Sequence, residues 1–293
     1  MSIPPPQRVA LVVHPARPIA EPVAVLRRWA EQRGLDVVEI HALGAVDRDF
    51  APDGIAQPGD LVVAVGGDGT VLSALRAAAH VDAPVLGTAH GSLGALAAVR
   101  AGELDDALER VYAGDWTPRL LPALSITPAN GPEAWAINDF VAVRRGPGQL
   151  IASAFVDDEL YIRLAGDGLI VATALGSSAY SMAAGGPVLA TDTEAFVFTP
   201  IAMHGGSAPP LVIPPESRLR VELHPGFAGF DVEIDGHNQS ETELSYTLTL
   251  QQAKATLVTF ETVSRRLTRL RARRLIADSP RVLARDDRSA AGS

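Results

Sequence analysis

Residues 60–70, DLVVAVGGDGT, decide the fold class of this chain. The apolar run Asp60–Val65 predicts a buried strand, and the Ala- and Leu-rich stretch Thr70–Ala79 predicts a helix. A glycine-rich loop between such a strand and such a helix lies at the edge of an open parallel sheet where ligands bind. The segment therefore predicts an α/β domain with a binding site at its loop.

Strands and helices alternate on both sides of this segment. Apolar runs predict strands at Arg8–His14, Leu35–Ile40 and Pro84–Gly87, and helical periodicity predicts helices at Glu21–Arg33 and Leu104–Ala113. This alternation is typical of a parallel sheet with helices on both faces. We therefore expect a doubly wound α/β domain in residues 1–116.

The pattern changes after about residue 116. Short apolar runs separated by turn residues replace the helical periodicity, and Ala134–Arg144 is long enough for one continuous strand. Such spacing predicts an all-β, sandwich-like second domain over residues 117–262. Residues 263–277 have the amphipathic pattern of a final helix, and the polar residues 278–293 are expected to form a disordered tail.

Composition narrows the class of protein. The 293 residues carry a formal net charge of −9, which disfavours nonspecific binding to nucleic acid. The absence of cysteine excludes disulfides, thiolate catalysis and cysteine-ligated zinc, and it suits a cytoplasmic protein. We find neither a signal peptide nor an apolar run of the roughly 20 residues that span a bilayer, so no membrane partner is expected. The arginine cluster between Arg265 and Arg274 is interpreted as a solvated helix face or the edge of a subunit contact, with an anion-binding or nucleic-acid role left open.

The loop itself has the chemistry of a phosphate site. Gly66, Gly67 and Gly69 let a phosphate approach the backbone closely. The helix that begins near Thr70 offers free N–H groups and the positive end of its dipole. Asp68 among these groups could orient a hydroxyl group, take its proton or hold Mg²⁺. The alternative is a tight turn in which Asp68 only caps the helix.

The sequence lacks three other motifs that bind phosphate or carry a catalytic nucleophile. A Walker A loop needs lysine after glycine, and the only lysine is Lys254, which follows Ala253. A dinucleotide fingerprint needs a third glycine where Leu72 stands. A serine hydrolase elbow needs Gly-x-Ser-x-Gly, whereas residues 176–180 read GSSAY.

Polar clusters in the second half are weaker signals by themselves. Residues 166–168 and 176–181 combine glycines with an aspartate or with hydroxyl groups, which fits either an anion or ribose site or ordinary β-turns. Asn138 and Asp139 lie inside the apolar run Ala134–Arg144. Buried polar groups need partners, so this pair either forms a core network or projects into a substrate pocket.

The glycine-rich and polar segments follow one another in the order 66–70 (GGDGT), 138–139 (ND), 167–170 (DGLI), 176–181 (GSSAYS), 185–187 (GGP), 199–201 (TPI) with His204, and 235–236 (DG). In this order they resemble the NAD kinase family. The glycine loop alone also occurs in lipid kinases and phosphofructokinases. The Ser-Ala-Tyr and Gly-Gly-Pro segments are far more specific to NAD kinases.

The resemblance implies an α/β N-terminal domain, a β-rich C-terminal domain and a C-terminal helix that returns to the first domain. It implies transfer of the γ-phosphoryl group of ATP to the 2′-hydroxyl of the adenosine ribose of NAD, with a divalent metal, usually Mg²⁺. Because members of the family are usually dimers or tetramers, a homodimer or homotetramer with nucleotide substrates is expected. The donor, ATP or polyphosphate, and the metal ligands are left open.

The resemblance also implies roles for single residues. Asp68 would be the general base, and Gly66, Gly67, Gly69 and Thr70 would form the phosphate loop. The residues expected to bind the dinucleotide are Asn138, Asp139, Asp167, Ser178, Ala179, Tyr180, Ser181, Ala183 and His237.

The chain departs from the family pattern inside these motifs. Ala95 stands where members have a phenylalanine that packs against an adenine ring, and Asp139 stands in place of a glutamate. Ala89, Leu175 and Pro209 likewise replace the usual residues of their motifs. Three hypotheses follow: phosphorylation of NAD, phosphorylation of another hydroxylated metabolite such as a nucleoside, sugar or lipid headgroup, or a non-catalytic nucleotide-binding paralogue.

Overall fold

The computed structural model describes residues 4–14, 19–41, 56–91, 94–190, 193–239, 242–260, 266–272 and 275–283. In chain order, the first half contains β1 (Arg8–Val13), α1 (Ala20–Gln32), β2 (Asp36–His41), β3 (Asp60–Gly66), α2 (Asp68–Ala78), β4 (Pro84–Ala89), β5 (Val99–Arg100) and α3 (Leu104–Tyr112). The second half contains β6 (Thr117–Pro128), β7 (Ala134–Ala136), β8 (Asp139–Arg144), β9 (Leu150–Val156), β10 (Glu159–Gly166), β11 (Gly168–Thr173), α4 (Tyr180–Ala183), β12 (Phe196–Ile201), β13 (Leu211–Ile213), β14 (Leu219–His224), β15 (Phe230–Ile234), β16 (His237–Asn238), β17 (Ser245–Thr259) and α5 (Arg266–Ala272).

The first half is built on a parallel sheet in the order β2-β1-β3-β4. Every residue of β3 is buried, because helices cover both faces of the sheet. Trp29 of α1 and Leu108 of α3 pack on one face, and Val71 and Leu75 of α2 pack on the other. The doubly wound α/β fold predicted for this half is confirmed, and it brings the carboxyl ends of β3 and β4 to one edge.

The second half is a sandwich. An antiparallel sheet in the order β13-β12-β11-β8-β15-β16 packs against β9, β14 and β17, which belong to the same mixed sheet as the parallel strands. Phe140 and Phe198 of the antiparallel sheet share one buried core with Leu219 and Leu248 of the mixed sheet. The all-β, sandwich-like fold predicted for this half is confirmed.

The long strand β17 joins the two halves. Its first part pairs antiparallel with β14, and its last part lies parallel to β4, with Thr256 opposite Pro84. A bulge between Gln251 and Ala255 interrupts its pairing with β6, and Ala253 in this bulge has a φ of 55°. Since one sheet continues through both halves, the division between residues 116 and 117 stays a prediction.

Helix α5 lies within the final helix predicted for residues 263–277, and its Leu270 side chain is buried. Three members of the arginine cluster, Arg265, Arg273 and Arg274, lie outside the described residues. None of the helices in the described part of the chain is long and apolar enough to cross a membrane.

The tail predicted to be disordered, residues 278–293, is described in part. Residues 280–283 form one helical turn, and residues 284–293 lie outside the described residues. Arg271, from the arginine cluster, forms an exposed ion pair with Asp278. A pairing of this kind fits a solvated helix face.

The prediction of one continuous strand over Ala134–Arg144 is wrong. β7 ends at Ala136 and β8 begins at Asp139. The strand breaks where the chain passes from one sheet to the other, since β7 pairs with β6 and β8 pairs with β11 and β15. Between the two strands, successive backbone N–H groups donate to a buried side chain. This break forms part of the candidate active site.

Candidate active site

The glycine loop lies at the carboxyl end of β3. Gly66 is the last residue of β3, Gly67 precedes α2, and Asp68 is the first residue of the helix. The N–H of Thr70 donates to the carbonyl of Gly67 at 3.0 Å, while Gly69 is exposed. The loop therefore presents the first turn of α2, where helices have free N–H groups, at the sheet edge.

The segment that follows β4 holds the side chain of Asp68. Its Oδ2 accepts a hydrogen bond from the N–H of Ala95 at 3.0 Å, and its Oδ1 accepts one from the N–H of Leu96 at 3.1 Å. A Cβ atom on Gly94 would stand 2.0 Å from Oδ1, so this close approach requires glycine. The residue before the first turn of α2 is Gly67, which has no side chain, and the Asp68 carboxylate bonds to amides about 27 residues further along the chain. Tertiary contacts fix its carboxylate in one orientation.

Some of the departures from the family pattern lie around this carboxylate. Ala95, whose N–H binds it, is half-buried. Ala89 is buried at the end of β4, in register with Gly66. Pro209 is engaged elsewhere, because its carbonyl accepts a hydrogen bond from a tyrosine hydroxyl at 2.6 Å.

A second element of the site is the turn between β7 and β8. The carboxylate of Asp235, just after β15, accepts hydrogen bonds from three successive backbone N–H groups. The donors are Ile137 at 2.9 Å, Asn138 at 2.7 Å and Asp139 at 3.2 Å. In return, the N–H of Asp235 donates to the carbonyl of Asp139 at 2.9 Å. These bonds fix the conformation of the Asn-Asp pair.

The residues after β11 hold the same turn from the other side. The N–H of Thr173 donates to the carbonyl of Asn138 at 2.9 Å. Its hydroxyl donates to the carbonyl of Ile137 at 2.6 Å and accepts from the N–H of Gly176 at 3.1 Å. A Cβ atom on Gly176 would stand 2.0 Å from the carbonyl oxygen of Asn138. The GSSAY segment, residues 176–180, is therefore attached directly to the Asn-Asp turn.

Asp139 is a carboxyl group in buried, acidic surroundings. The residue is 6% exposed. Burial, followed by the charges of Asp235 and Glu233, raises the pKa of Asp139 to about 7. Near neutral pH this group is therefore present both as a carboxylic acid, which donates a hydrogen bond, and as a carboxylate, which accepts them.

In α4 and in the residue before it, some positions are exposed and others are buried. Ala179 and Ala183 are exposed, and Tyr180 is 41% exposed. Ser181 is fully buried, and its hydroxyl is hydrogen-bonded to that of Thr199 at 2.9 Å. The structure thus turns the side chain of Ser181 into the core, while its neighbours remain accessible.

Ser178 and Tyr180 lie at the boundary between core and solvent. The hydroxyl of Ser178 donates to a backbone carbonyl at 3.3 Å. Burial raises the pKa of Tyr180, and so do the charges of Glu233, Asp167 and Asp139. The Tyr180 hydroxyl is therefore within electrostatic reach of two of the predicted dinucleotide-binding carboxyl groups.

Asp167 lies between β10 and β11, where it is paired with the guanidinium of Arg144 and lies close to His204. Nε of Arg144 donates to Oδ1 of Asp167 at 2.6 Å, and Nε2 of His204 lies 3.4 Å from the same oxygen. The hydrogen bond from Arg144 is the main reason that the pKa of Asp167 is lowered. Near neutral pH the carboxylate of Asp167 therefore stays ionised, whereas Asp139 is partly protonated.

His237 lies on the same turn as Asp235. It is half-buried and pairs with Ile234 across the turn between β15 and β16. Its carbonyl accepts a hydrogen bond from the side chain of Gln239 at 2.9 Å. The histidine is thus two residues from the carboxylate that organises the Asn-Asp turn.

Comparison with known proteins decides the family. The model described as the ATP-NAD kinase N-terminal domain matches residues 9–116, and the model described as the ATP-NAD kinase C-terminal domain matches residues 137–262. An NAD kinase of Burkholderia thailandensis is 34% identical over 262 residues, which cover 85% of this chain and 87% of that protein. The chain belongs to the NAD kinase family. An NAD kinase of Clostridium perfringens is 36% identical over 200 residues, or 67% of this chain and 72% of that protein.

Solved structures with the same fold include kinases of NADH and NAD. Yeast NADH kinase complexed with NADH superposes with a TM-score of 0.74 at 21% identity, covering 94% of this chain and 89% of that chain. An NAD kinase from Archaeoglobus fulgidus in complex with ATP gives a TM-score of 0.70 at 24% identity, covering 92% and 100%. The resemblance drawn from the sequence is confirmed.

In this member of the NAD kinase family, α2 links the two elements of the site. Ile137 and Leu175 share one buried cluster with the apolar residues of α2. Arg76 of α2 donates to the carbonyl of Trp135 at 3.4 Å. Burial raises the pKa of Asp235, while its three amide donors and the charge of Arg76 oppose this effect. The helix that begins at the glycine loop therefore also supports the Asn-Asp turn.

Sequence reasoning missed three residues that build this site. It identified Asp235 only as half of an Asp-Gly pair, and it gave no role to Thr173 or Arg76. An acidic residue at the end of an apolar run, followed by Gly236, does indicate a turn. It does not identify the partner, since Asp235 and Ile137 are 98 residues apart in the sequence.

The side chains around Asp68 are relevant to how the protein could bind a metal ion. Among the residues that the structure describes, no group of three or more His, Cys, Asp or Glu side chains could hold a metal ion. Mg²⁺ at phosphoryl-transfer sites is usually bound by one or two carboxylates together with the phosphates of the substrate. Asp68, beside an exposed helix N-terminus, fits this mode better than a cage made only of protein ligands.

Proposed function

We propose that this chain is an NAD kinase, which transfers the γ-phosphoryl group of ATP to the 2′-hydroxyl of the adenosine ribose of NAD and so forms NADP. The observation that carries the proposal is the carboxylate of Asp68, held by the N–H groups of Ala95 and Leu96 at the first turn of α2. Family membership over both halves of the chain supports the choice of substrates.

Asp68 is proposed to be the general base. The acceptor oxygen attacks the γ-phosphorus, the bond between this phosphorus and the β,γ-bridging oxygen breaks, and ADP leaves. The proton of the attacking hydroxyl passes to the carboxylate. A base of this kind contributes about 10²–10⁴-fold to the rate, and positioning of the two substrates accounts for much of the rest.

The phosphates of ATP are proposed to bind at the first turn of α2. Gly67 and Gly69 have no side chain to block their approach, and the helix contributes N–H groups and a positive dipole end. Mg²⁺ is proposed to bind largely through these phosphates, with Asp68 as the nearby carboxylate. When bound, the metal would neutralise the charge of the phosphates.

The dinucleotide is proposed to bind at the Asn-Asp turn and along α4. Amide and carboxyl groups there are suited to ribose hydroxyls, and the exposed ring of Tyr180 offers a surface for stacking. The proposed contact residues are Asn138, Asp139, Asp167, Ser178, Ala179, Tyr180, Ala183 and His237, with Ser181 supporting them from the core.

One observation favours a second candidate, a kinase of another hydroxylated metabolite. Ala95 adjoins Asp68, so the absence of the family's phenylalanine falls at the reacting end of the site. A smaller side chain leaves room for an acceptor of another shape. The base and the phosphate loop would serve either acceptor, because fold and loop do not fix the substrate.

A panel of acceptors separates the two candidates. The protein is incubated with Mg²⁺, with ATP or polyphosphate as donor, and with NAD, NADH, nucleosides, sugars or glycerolipid headgroups, and products are identified by mass spectrometry. Phosphorylation of NAD above all other acceptors supports the proposal. Turnover only with another acceptor supports the second candidate, and nucleotide binding without turnover would contradict both.

We also propose an oligomeric state and a cellular compartment for the protein. We propose a homodimer or homotetramer, which light scattering on the purified protein tests by its molar mass. A monomer at all concentrations would contradict it. The cysteine-free composition suits the reducing cytoplasm, which we propose as the compartment.

A further inference from the structure

We propose that Asp235 is a positioning residue of the acceptor site, whose buried carboxylate holds residues 137–139 in the turn that presents Asn138 and Asp139 to the nucleotide. The proposal rests on the function proposed above, because it assigns these two residues to the dinucleotide. Asp235 itself is 8% exposed and would act through the turn and not by contact with the substrate.

The geometry requires a carboxylate at this position. Oδ1 of Asp235 accepts from the N–H groups of Asn138 and Asp139, and Oδ2 accepts from the N–H of Ile137. An asparagine would turn an NH₂ group toward at least one of these N–H donors. A buried donor without an acceptor is costly, so the turn would have to rearrange.

The backbone of Asp235 is itself adapted to this contact. Its φ is 52°, a left-handed conformation that L-residues other than asparagine and aspartate rarely adopt. In this conformation its N–H donates to the carbonyl of Asp139 at 2.9 Å while its side chain faces the N–H groups of the turn. Asp235 thus holds the Asn-Asp segment through its backbone N–H and through its side-chain oxygens.

Asp235 also affects the protonation of Asp139. The titratable groups coupled to Asp139 are Asp235 and Glu233 of the β15 segment, whose charges raise its pKa, and Tyr180 of α4, whose own pKa is raised in part by the charge of Asp139. Burial is the largest cause of the raised pKa of Asp139, and the charge of Asp235 is the next. Removing that charge should make Asp139 ionise at a lower pH. This change in the titration of Asp139 is a readout separate from the conformation of the turn.

The test compares Asp235→Asn with a matched control, Asp231→Asn. Asp231 lies on β15 as well, but it forms an exposed ion pair with Arg145 and belongs to no part of the site. Hydrogen–deuterium exchange measures the N–H groups of residues 137–139 directly. We expect exchange in this segment to become faster by about tenfold or more in Asp235→Asn, and to stay as in the wild type in Asp231→Asn.

NAD binding, measured by calorimetry without a donor over a range of pH, supplies the functional readout. In Asp235→Asn we expect the Kd for NAD to rise by about tenfold or more. We also expect the midpoint of its pH dependence to move down by about one pH unit, the usual effect of removing a nearby like charge. Asp231→Asn should keep both the affinity and the midpoint of the wild type.

A third variant, Asp235→Glu, keeps the charge and the acceptor oxygens but moves them by one methylene group. We expect it to keep the wild-type midpoint of the pH dependence and to bind NAD several-fold more weakly. It replaces Asp235→Asn in the test if that variant does not fold. Wild-type exchange, affinity and midpoint in both Asp235 variants would overturn the proposal. A wild-type protein that forms no NADP refutes the proposed function instead, and the exchange measurement still decides whether Asp235 positions the turn.

Discussion

Replacing Asp139 by asparagine should make the protein more stable, relative to the wild type, as the pH rises. The carboxyl group of Asp139 is buried beside Asp235 and Glu233, and these surroundings raise its pKa from the ordinary 3.8 to about 7. Above that pH the folded protein must keep a buried carboxylate. An asparagine amide of nearly the same size stays neutral and avoids this cost.

Proton linkage gives the sign and the size of the effect. In the folded protein Asp139 keeps its proton at pH values where the unfolded chain has lost it. Its contribution to stability is therefore fully present below about pH 4 and is lost as the pH rises through about 7. A shift of about three pH units at roughly 1.4 kcal/mol per unit corresponds to up to roughly 4 kcal/mol in the free energy of unfolding.

The assay is urea unfolding followed by circular dichroism at a series of pH values from about 4 to 9, the range in which this carboxyl group titrates. The quantity of interest is the free energy of unfolding of Asp139→Asn minus that of the wild type, which should increase with pH and level off above about pH 8. Asp231→Asn, which removes a half-buried carboxylate paired with the exposed Arg145, serves as the control and should show a small and constant difference. A constant difference for Asp139→Asn as well would refute the reasoning.

Two substitutions near Asp68 and one binding measurement give further tests. Ala95→Phe should lower the KM for NAD by about three- to tenfold, since an aromatic contact contributes about 0.5–1.5 kcal/mol, whereas a loss of turnover with NAD in steady-state kinetics would point to another acceptor. Gly94→Ala should lower kcat by about tenfold or more, because its Cβ would stand 2.0 Å from Oδ1 of Asp68. Gly102→Ala, which has no neighbouring atom within 4 Å, is the matched control, and equal kcat values in the two variants would show that the orientation of Asp68 does not matter. The protein should not bind random DNA or RNA at physiological salt because of its net charge of −9, and a salt-sensitive, submicromolar Kd in a filter-binding assay would contradict this.

The parts of the fold that could be predicted from the sequence are those set by local patterns. The apolar run before the glycine loop identifies a strand buried on both faces, and β3 is indeed buried along its whole length. Glycines followed by Asp68 and an Ala-rich stretch indicate a loop that opens a helix, as β3 and α2 show. Short-range periodicity is enough for such elements, and the order of the motifs identified the family.

The parts that could not be predicted depend on contacts between distant segments. Nothing near Asn138 indicates that the strand breaks there, because the break depends on the change of sheet between β7 and β8 and on the distant carboxylate of Asp235. Ser178 and Ser181 are equivalent in sequence terms, yet only Ser181 has its hydroxyl paired with Thr199 in the core. The two amides that hold Asp68 likewise come from a loop whose path no local pattern specifies.

The most direct test of the proposed function is whether ATP and NAD yield NADP, and whether the reaction depends on Asp68. The purified protein with ATP, Mg²⁺ and NAD should give ADP and a product that an NADP-specific dehydrogenase reduces, which requires the new phosphate to be on the 2′-hydroxyl. Asp68→Asn keeps the shape of the side chain but cannot take the proton, so it should lower kcat by about 10²–10⁴-fold with an unchanged circular dichroism spectrum. A wild-type protein that forms no NADP would contradict the proposed function, and an Asp68→Asn variant that keeps more than about half of the turnover would contradict the role proposed for this carboxylate.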